Sequence, residues 1–144
     1  IVDAYTTALA ADEMVTEVTV SIPRPPAGGA YVKFEKRAGD FAVASVGVQL
    51  ALDGERCVGV AVSLGALGAT PIRARDAEAL LQGQEVSVDL LSRAEQLVRE
   101  VAQPFEDTRG SVDYKRHLAG VLFRRAFAAA ADRAHGRQVS TLHA

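Results

Sequence analysis

The sequence predicts an α+β domain, an antiparallel sheet of three to four strands packed on a layer of three helices. Three observations carry that expectation. Apolar residues recur at every second position from Ala42 to Leu52, and from Met14 to Ile22 with Thr16 as the one exception, which is the period of side chains on a pleated strand. Asp53-Gly54 follows the second run, and this pair tolerates the positive φ angles of a tight turn, so the run from Arg56 to Leu64 pairs antiparallel with the one before it. From Asp76 onward the spacing becomes helical and no strand pattern returns. Strands first and helices afterward, without alternation, argue for a sheet with helices on one face.

In chain order, the stretch from Ile1 to Ala11 has no clean period and is expected to be an irregular or partly helical lead-in. Between Glu13 and Ile22, Met14, Thr16, Val18, Val20 and Ile22 share one face while Val15, Glu17, Thr19 and Ser21 share the other, the pattern of a half-buried strand. Pro23 to Gly29 holds three prolines and two glycines and is expected to connect two strands; a proline-rich docking peptide is the alternative use of the same residues. Tyr31, Lys33 and Glu35 then alternate with Val32 and Phe34, and the hairpin follows, with a type I′ turn expected at Leu52-Asp53-Gly54-Glu55. Leu67 to Pro71 breaks the strand, and Ile72-Arg73-Ala74 leads into a short helix, Asp76 to Gln82, closed by Gly83 in left-handed geometry. Ser87 caps a longer helix whose stripe is Leu90, Ala94, Leu97, Val98 and Val101, and Pro104 stops it. Ser111 caps the third helix, lined by Tyr114, Leu118, Val121 and Leu122 and continued by Ala126 to Ala131; the tail beyond Gly136 is expected to fray.

Composition narrows the function more by exclusion than by indication. Sixteen basic and eighteen acidic residues among 144 leave a formal charge of −2, so no global field favours nucleic acid or an anionic membrane. No run of about 18 apolar residues exists to span a bilayer, and no signal peptide pattern opens the chain. Cys57 is the only cysteine, which rules out an internal disulfide, and a cytoplasmic setting is expected. The chain opens on Ile1 in mid-phrase, as a processed protein or a piece of a longer one would. Catalytic and metal-ligating sets are not expected: Ser45, Ser63 and Ser111 lack a nucleophile-elbow context, and His117, His135 and His143 have no carboxylate at ligand spacing. Gly65-Ala66-Leu67-Gly68 matches neither a Walker loop nor a dinucleotide fingerprint, because Pro71 stands where a phosphate-binding helix would begin. Lys115, Arg116, Arg124 and Arg125 form a basic cluster that is either a solvated helix face or a contact for an acidic partner.

Six stretches carry a resemblance. Tyr5 to Leu9 with Glu13 to Val18, Lys33 to Val46, Leu64 to Ala74, and Asp107 to Arg116 with Leu122 to Ala126 fall in order across nearly the whole chain. Together they resemble the C-terminal domain of the FAD-binding medium subunit of the molybdenum hydroxylases, the carbon monoxide dehydrogenase and xanthine dehydrogenase family. That family's glycine-rich segments for the FAD pyrophosphate are not among these residues. On this resemblance, residues 1–22 are the tail of the FAD-binding domain or a lead-in strand, and 23–144 form the flavoprotein C-terminal domain.

The resemblance implies that the domain closes the isoalloxazine pocket of a FAD shared with an N-terminal domain. It implies partner subunits or domains that carry a molybdenum cofactor and 2Fe-2S clusters, from which electrons reach the flavin. Three residues are then expected near the ring: Val15 as an apolar contact, Tyr31 as an aromatic one, and Lys33 as a charge at the N1 and C2=O edge. An ordinary strand with one wet face would also place Tyr31 and Lys33 on that face. Arg37 and Asp40 flank a turn and are expected to pair or to cap backbone groups, and Asp107, Arg109 and Tyr114 to form a helix-start motif. The alternative for the chain as a whole is a non-catalytic interaction module that does not bind FAD by itself.

Overall fold

The computed structural model describes residues 1–24 and 26–139. Four strands, β1 (Ala27–Phe34), β2 (Ala44–Asp53), β3 (Arg56–Gly65) and β4 (Ile72–Arg73), precede three helices, α1 (Arg75–Leu81), α2 (Val88–Val101) and α3 (Val112–Ala134). The strands pair antiparallel in the order β1-β2-β3-β4. The α+β class with a helical layer on one side of the sheet is therefore the architecture found.

Alternation decides which face is covered. Ala30 and Val32 of β1, Val46, Val48, Leu50 and Leu52 of β2, and Cys57, Val62 and Leu64 of β3 are all buried under the helices. α3 crosses β1 and β2, α2 packs on α3, and α1 sits between α2 and β3. Phe123 and Phe127, with ring centroids 5.9 Å apart, fill the space between α3 and the sheet. Next to them α3 uses Ala126, Ala129 and Ala130, and β1 answers with Gly28, whose missing side chain lets the strand approach the backbone of α3 at Ala130 and Ala134. The helix ends follow their sequence signals: Ser87 Oγ accepts from Leu90 N at 3.1 Å, Ser111 Oγ accepts from Tyr114 N at 3.3 Å, and Gly83 closes α1 at φ +76°.

Four expectations change. Glu13 to Ile22 pairs with no strand among the described residues, and Met14, Val15, Val18, Val20 and Ile22 are exposed. Its alternation is that of a strand, but among the described residues it does not pair with the free outer edge of β1; the fourth strand is Ile72–Arg73, bonded to Leu64 and Ser63. The hairpin turn centres on Gly54-Glu55, since Asp53 pairs with Arg56. Gly54 has φ +59° while Glu55 has no positive φ, the signature of a type II′ turn. A turn centred on Asp53-Gly54 would have set Glu55 opposite Leu52 on the buried face. The observed register sets Cys57 there and absorbs Val58 as a bulge. On α3, Tyr114 is exposed at the rim and Lys115 is buried. Leu97 of α2 is half-buried, beside the buried Leu90, Ala94 and Val98. Pro25 of the proline run and residues 140–144, His143 among them, lie outside the described residues.

Candidate functional site

The face of the sheet away from the helices is open, and small residues pave it. Tyr31 stands opposite Gly47, Gly47 opposite Ser63 and Ser63 opposite Arg73; the next row is Gly29, Gln49 and Ala61. These two rows floor a depression of about 620 Å³, bounded by Tyr31, Gln49, Ile72, Arg73 and Arg133. Gly47 makes room for the aromatic ring: a Cβ there would sit 2.8 Å from Ser63 Oγ and 3.7 Å from Tyr31 Cδ2. The ring of Tyr31 thus reaches over its cross-strand glycine, supported by the sheet and 65% exposed to solvent. A glycine inside an alternating strand is a signal of close approach, and Gly47 is a position that the alternation of its neighbours left unread.

Lys33 lies two residues further along the same face of β1, toward the end of the strand. Its Nζ pairs with Glu35 and donates to the carbonyl of Asp40 at 3.3 Å. The Lys33 hydrogen bond holds the Glu35 carboxyl below its usual range. Asp40, expected to pair with Arg37 or to cap backbone groups, accepts from Phe41 N at 2.7 Å and meets Arg109 rather than Arg37, at 3.4 Å, and Arg109 lies over the Phe41 ring at 6.0 Å from its centroid. The geometric reason is that the 105–110 turn is folded against the 35–43 loop, as Lys36 Nζ donating to Thr108 O at 2.7 Å also shows. Asp107 accepts from Arg109 N at 2.8 Å within the turn that precedes α3, and the cap of that helix is Ser111. Tyr31 and Lys33 are therefore brought to one face. Val15, 64% exposed, belongs to the segment outside the sheet.

Several polar groups around the depression gave no signal in the sequence. Arg73 comes from the short β4 and is held by Glu78, whose Oε1 accepts from Arg73 Nε at 2.8 Å and from Val62 N at 2.8 Å. Arg133 donates to the carbonyl of Gly29 and so ties the end of α3 to the edge of the floor. In the supposed basic cluster, Arg124 pairs with Glu95 at 2.7 Å and Arg116 Nε donates to Ala102 O at 3.2 Å, so these two cations serve contacts between helices.

An apolar floor, one supported aromatic face and a rim of hydrogen-bonding groups fit a planar ring laid along the sheet. The same residues do not fit a pyrophosphate. The N-termini of α2 and α3 are already occupied by the Ser87 and Ser111 side chains, and α1 has only seven residues. Among the described residues, no group of three or more His, Cys, Asp or Glu side chains could hold a metal ion, and no helix is long and apolar enough to cross a membrane.

Residues 29–130 match the family profile described as the CO dehydrogenase flavoprotein C-terminal domain. The carbon monoxide dehydrogenase medium chain of Afipia carboxidovorans is 34% identical over 131 residues, which are 91% of this chain and 46% of that protein. The nicotine 6-hydroxylase medium subunit of Paenarthrobacter nicotinovorans is 35% identical over 124 residues, 86% of this chain and 43% of that one. Reconstituted CO dehydrogenase from Oligotropha carboxidovorans superposes with a TM-score of 0.87 at 33% identity, over 91% of this chain and 46% of its own. CO dehydrogenase from Hydrogenophaga pseudoflava gives 0.88 at 31% identity, with the same coverage of both chains. The chain thus spans less than half the length of these relatives. Fold, profile and identity agree: this chain belongs to the CO dehydrogenase flavoprotein C-terminal domain family, the C-terminal domain of the FAD-binding medium subunits of molybdenum hydroxylases.

Proposed function

We propose that the chain forms one wall of the flavin pocket in a molybdenum-containing hydroxylase or dehydrogenase. The observation that carries this reading is the Tyr31 ring, braced over Gly47 with its outer side exposed and with Lys33 on the same strand face. FAD, when bound, would supply two-electron chemistry, with a molybdenum cofactor and 2Fe-2S clusters on partner subunits as the electron source. Tyr31 covers the isoalloxazine and shields it from water. Lys33 sets a positive charge beside the N1 and C2=O edge, where reduction places negative charge. Val15 contributes an apolar contact from the 1–22 segment, which belongs with the FAD-binding portion and pairs there through its alternating residues, while 23–144 form the C-terminal domain. A cytoplasmic location suits the single buried thiol, Cys57.

The second reading, an interaction module that holds no FAD by itself, is favoured by the lack of a phosphate cradle among the described residues. The two readings agree that the isolated chain holds no FAD and differ in what its residues do in the complete subunit, where variants at Tyr31 and Lys33 separate them. The purified chain is expected to lose FAD on a desalting column, and the complete subunit to retain it. In the complete subunit, Tyr31→Ala should weaken FAD retention, and Lys33→Met should lower the flavin potential by roughly 30 mV for a loss of about 1.4 kcal/mol in a two-electron couple. Unchanged affinity and potential in both variants would leave only the interaction module standing.

A further inference from the structure

The ammonium of Lys33 is held by a loop that something else must hold. Its partners are Glu35 and the carbonyl of Asp40, both in the 35–43 connection between β1 and β2. That loop has internal bonds, Asp40 N to Arg37 O at 3.0 Å and Gly39 N to Glu35 Oε1 at 3.2 Å, but they are exposed and local. At its end Val43 is buried in the core and its N–H donates to Phe34 O at 2.8 Å, while two side-chain contacts fasten the middle of the loop through one element: Lys36 Nζ donates to Thr108 O, and Arg109 donates to Asp40 Oδ1. Thr108 and Arg109 both lie in the turn at 105–110, closed on itself by paired backbone bonds between Asp107 and Gly110.

The turn in turn is fixed at one buried point. Lys115, on the first turn of α3 and 3% exposed, places its Nζ 2.8 Å from Asp107 Oδ1 and 2.8 Å from Phe105 O, and 5.2 Å from the centroid of the Phe105 ring. One ammonium therefore grips the turn at two residues. The same Asp107 carboxylate accepts from Arg109 N, which orients the guanidinium that reaches Asp40. Its carboxyl is held below the usual range chiefly by the Lys115 hydrogen bond. Half-exposed ion pairs such as Asp40–Arg109 contribute little alone, whereas a buried lysine with two acceptors fixed at 2.8 Å has few alternative geometries.

We infer that Lys115 is a positioning residue for Lys33, acting through a clasp made of the 105–110 turn and the 35–43 loop. The sequence of contacts is Lys115 to Asp107 and Phe105, then Thr108 and Arg109 to Lys36 and Asp40, then the Asp40 carbonyl to Lys33. That this matters to a flavin rests on the function proposed above; the clasp itself does not.

Hydrogen exchange on the 144-residue chain tests the clasp without any cofactor. Lys115→Met keeps the buried stem and removes the charge. Amides 36–43 and 105–110 should then exchange at least about tenfold faster, with the β2–β3 hairpin unchanged. Acceleration confined to 105–110 would overturn the inference, because Lys115 would then order its own turn only. If Lys115→Met unfolds the chain, the exposed double variant Lys36→Gln, Arg109→Gln decides: faster exchange at 36–43 supports the clasp, and no change there overturns it. In the complete flavin-loaded subunit, Lys115→Met should lower the reduction potential in the same direction as Lys33→Met, with Lys115→Arg restoring part of the shift. A Lys33→Met effect with no Lys115→Met effect refutes the positioning role, while silence from Lys33→Met with intact clasp behaviour refutes only the flavin reading.

Discussion

Gly28 sets how close β1 lies to α3, and hence where Tyr31 and Lys33 stand, so Gly28→Ala is the sharpest test of the packing. Its φ is ordinary, since it is not among the positive-φ glycines, and the cost of a methyl group is therefore steric. An ideal Cβ at this position would lie 2.5 Å from Ala134 N and 2.8 Å from Arg133 Cβ, and closer still to Ala130 O. Two of those atoms are helix backbone, which cannot rotate away. The strand must move off the helix, opening gaps around Ala30, Val32 and Phe127. Overpacking of this kind costs roughly 1 to 3 kcal/mol, and the rigid backbone neighbours place this case at about 3 kcal/mol or above. At roughly 2 to 4 °C per kcal/mol for a chain of this size, Tm should fall by about 6 to 12 °C. The control is Gly54→Ala, with open space around it and φ +59°, where the left-handed backbone alone should cost about 1 to 2 kcal/mol. Thermal unfolding followed by circular dichroism measures both. A Gly28→Ala midpoint within about 2 °C of the parent would mean that β1 and α3 do not touch at this point.

Burial separates two leucines. Leu122→Ala, at a fully buried position on α3, should cost roughly 2 to 5 kcal/mol in urea unfolding, whereas Leu97→Ala on the half-buried side of α2 should cost about half as much; equal values would contradict the assignment of the two faces. Ser111→Ala removes the side-chain acceptor for Tyr114 N and should cost about 1 kcal/mol, with Ser111→Asp close to neutral in the same assay. Acid unfolding should reveal Asp107. Its folded pKa is depressed by Lys115, so the pair's stabilisation is present above the unfolded-state value and lost as pH falls through the folded one, below about pH 4. Asp107→Asn should flatten that part of the profile, and a profile of unchanged slope would show that the pair is not coupled to folding.

What the sequence disclosed, and what it hid, divides by the range of the physics involved. Strand alternation, serine caps and the glycine that ends α1 are local signals, and they placed the hairpin, the three helices and both caps before any tertiary contact was known. Local chemistry did not choose between two turns that each use Gly54; the burial of Cys57 opposite Leu52, with Glu55 left outside, made that choice. β4 escaped because two residues have no period, and its existence depends on β3 having a free edge. The Glu13 to Ile22 alternation is real, yet alternation specifies a face and not a partner, and the segment leaves the outer edge of β1 unpaired. Site residues follow the same division. Tyr31 and Lys33 were legible as neighbours on one strand face, while the depression beside Tyr31 needed Ser63 and Arg73 from strands across the sheet. Lys115 was the hardest to see. It sits in a run of basic residues whose ordinary fate is solvent, and only the return of Asp107 and Phe105 over the start of α3 turns that one cation inward. A residue whose burial contradicts its composition is doing something its neighbours require, and here the neighbours lead from α3 to the strand that carries Lys33.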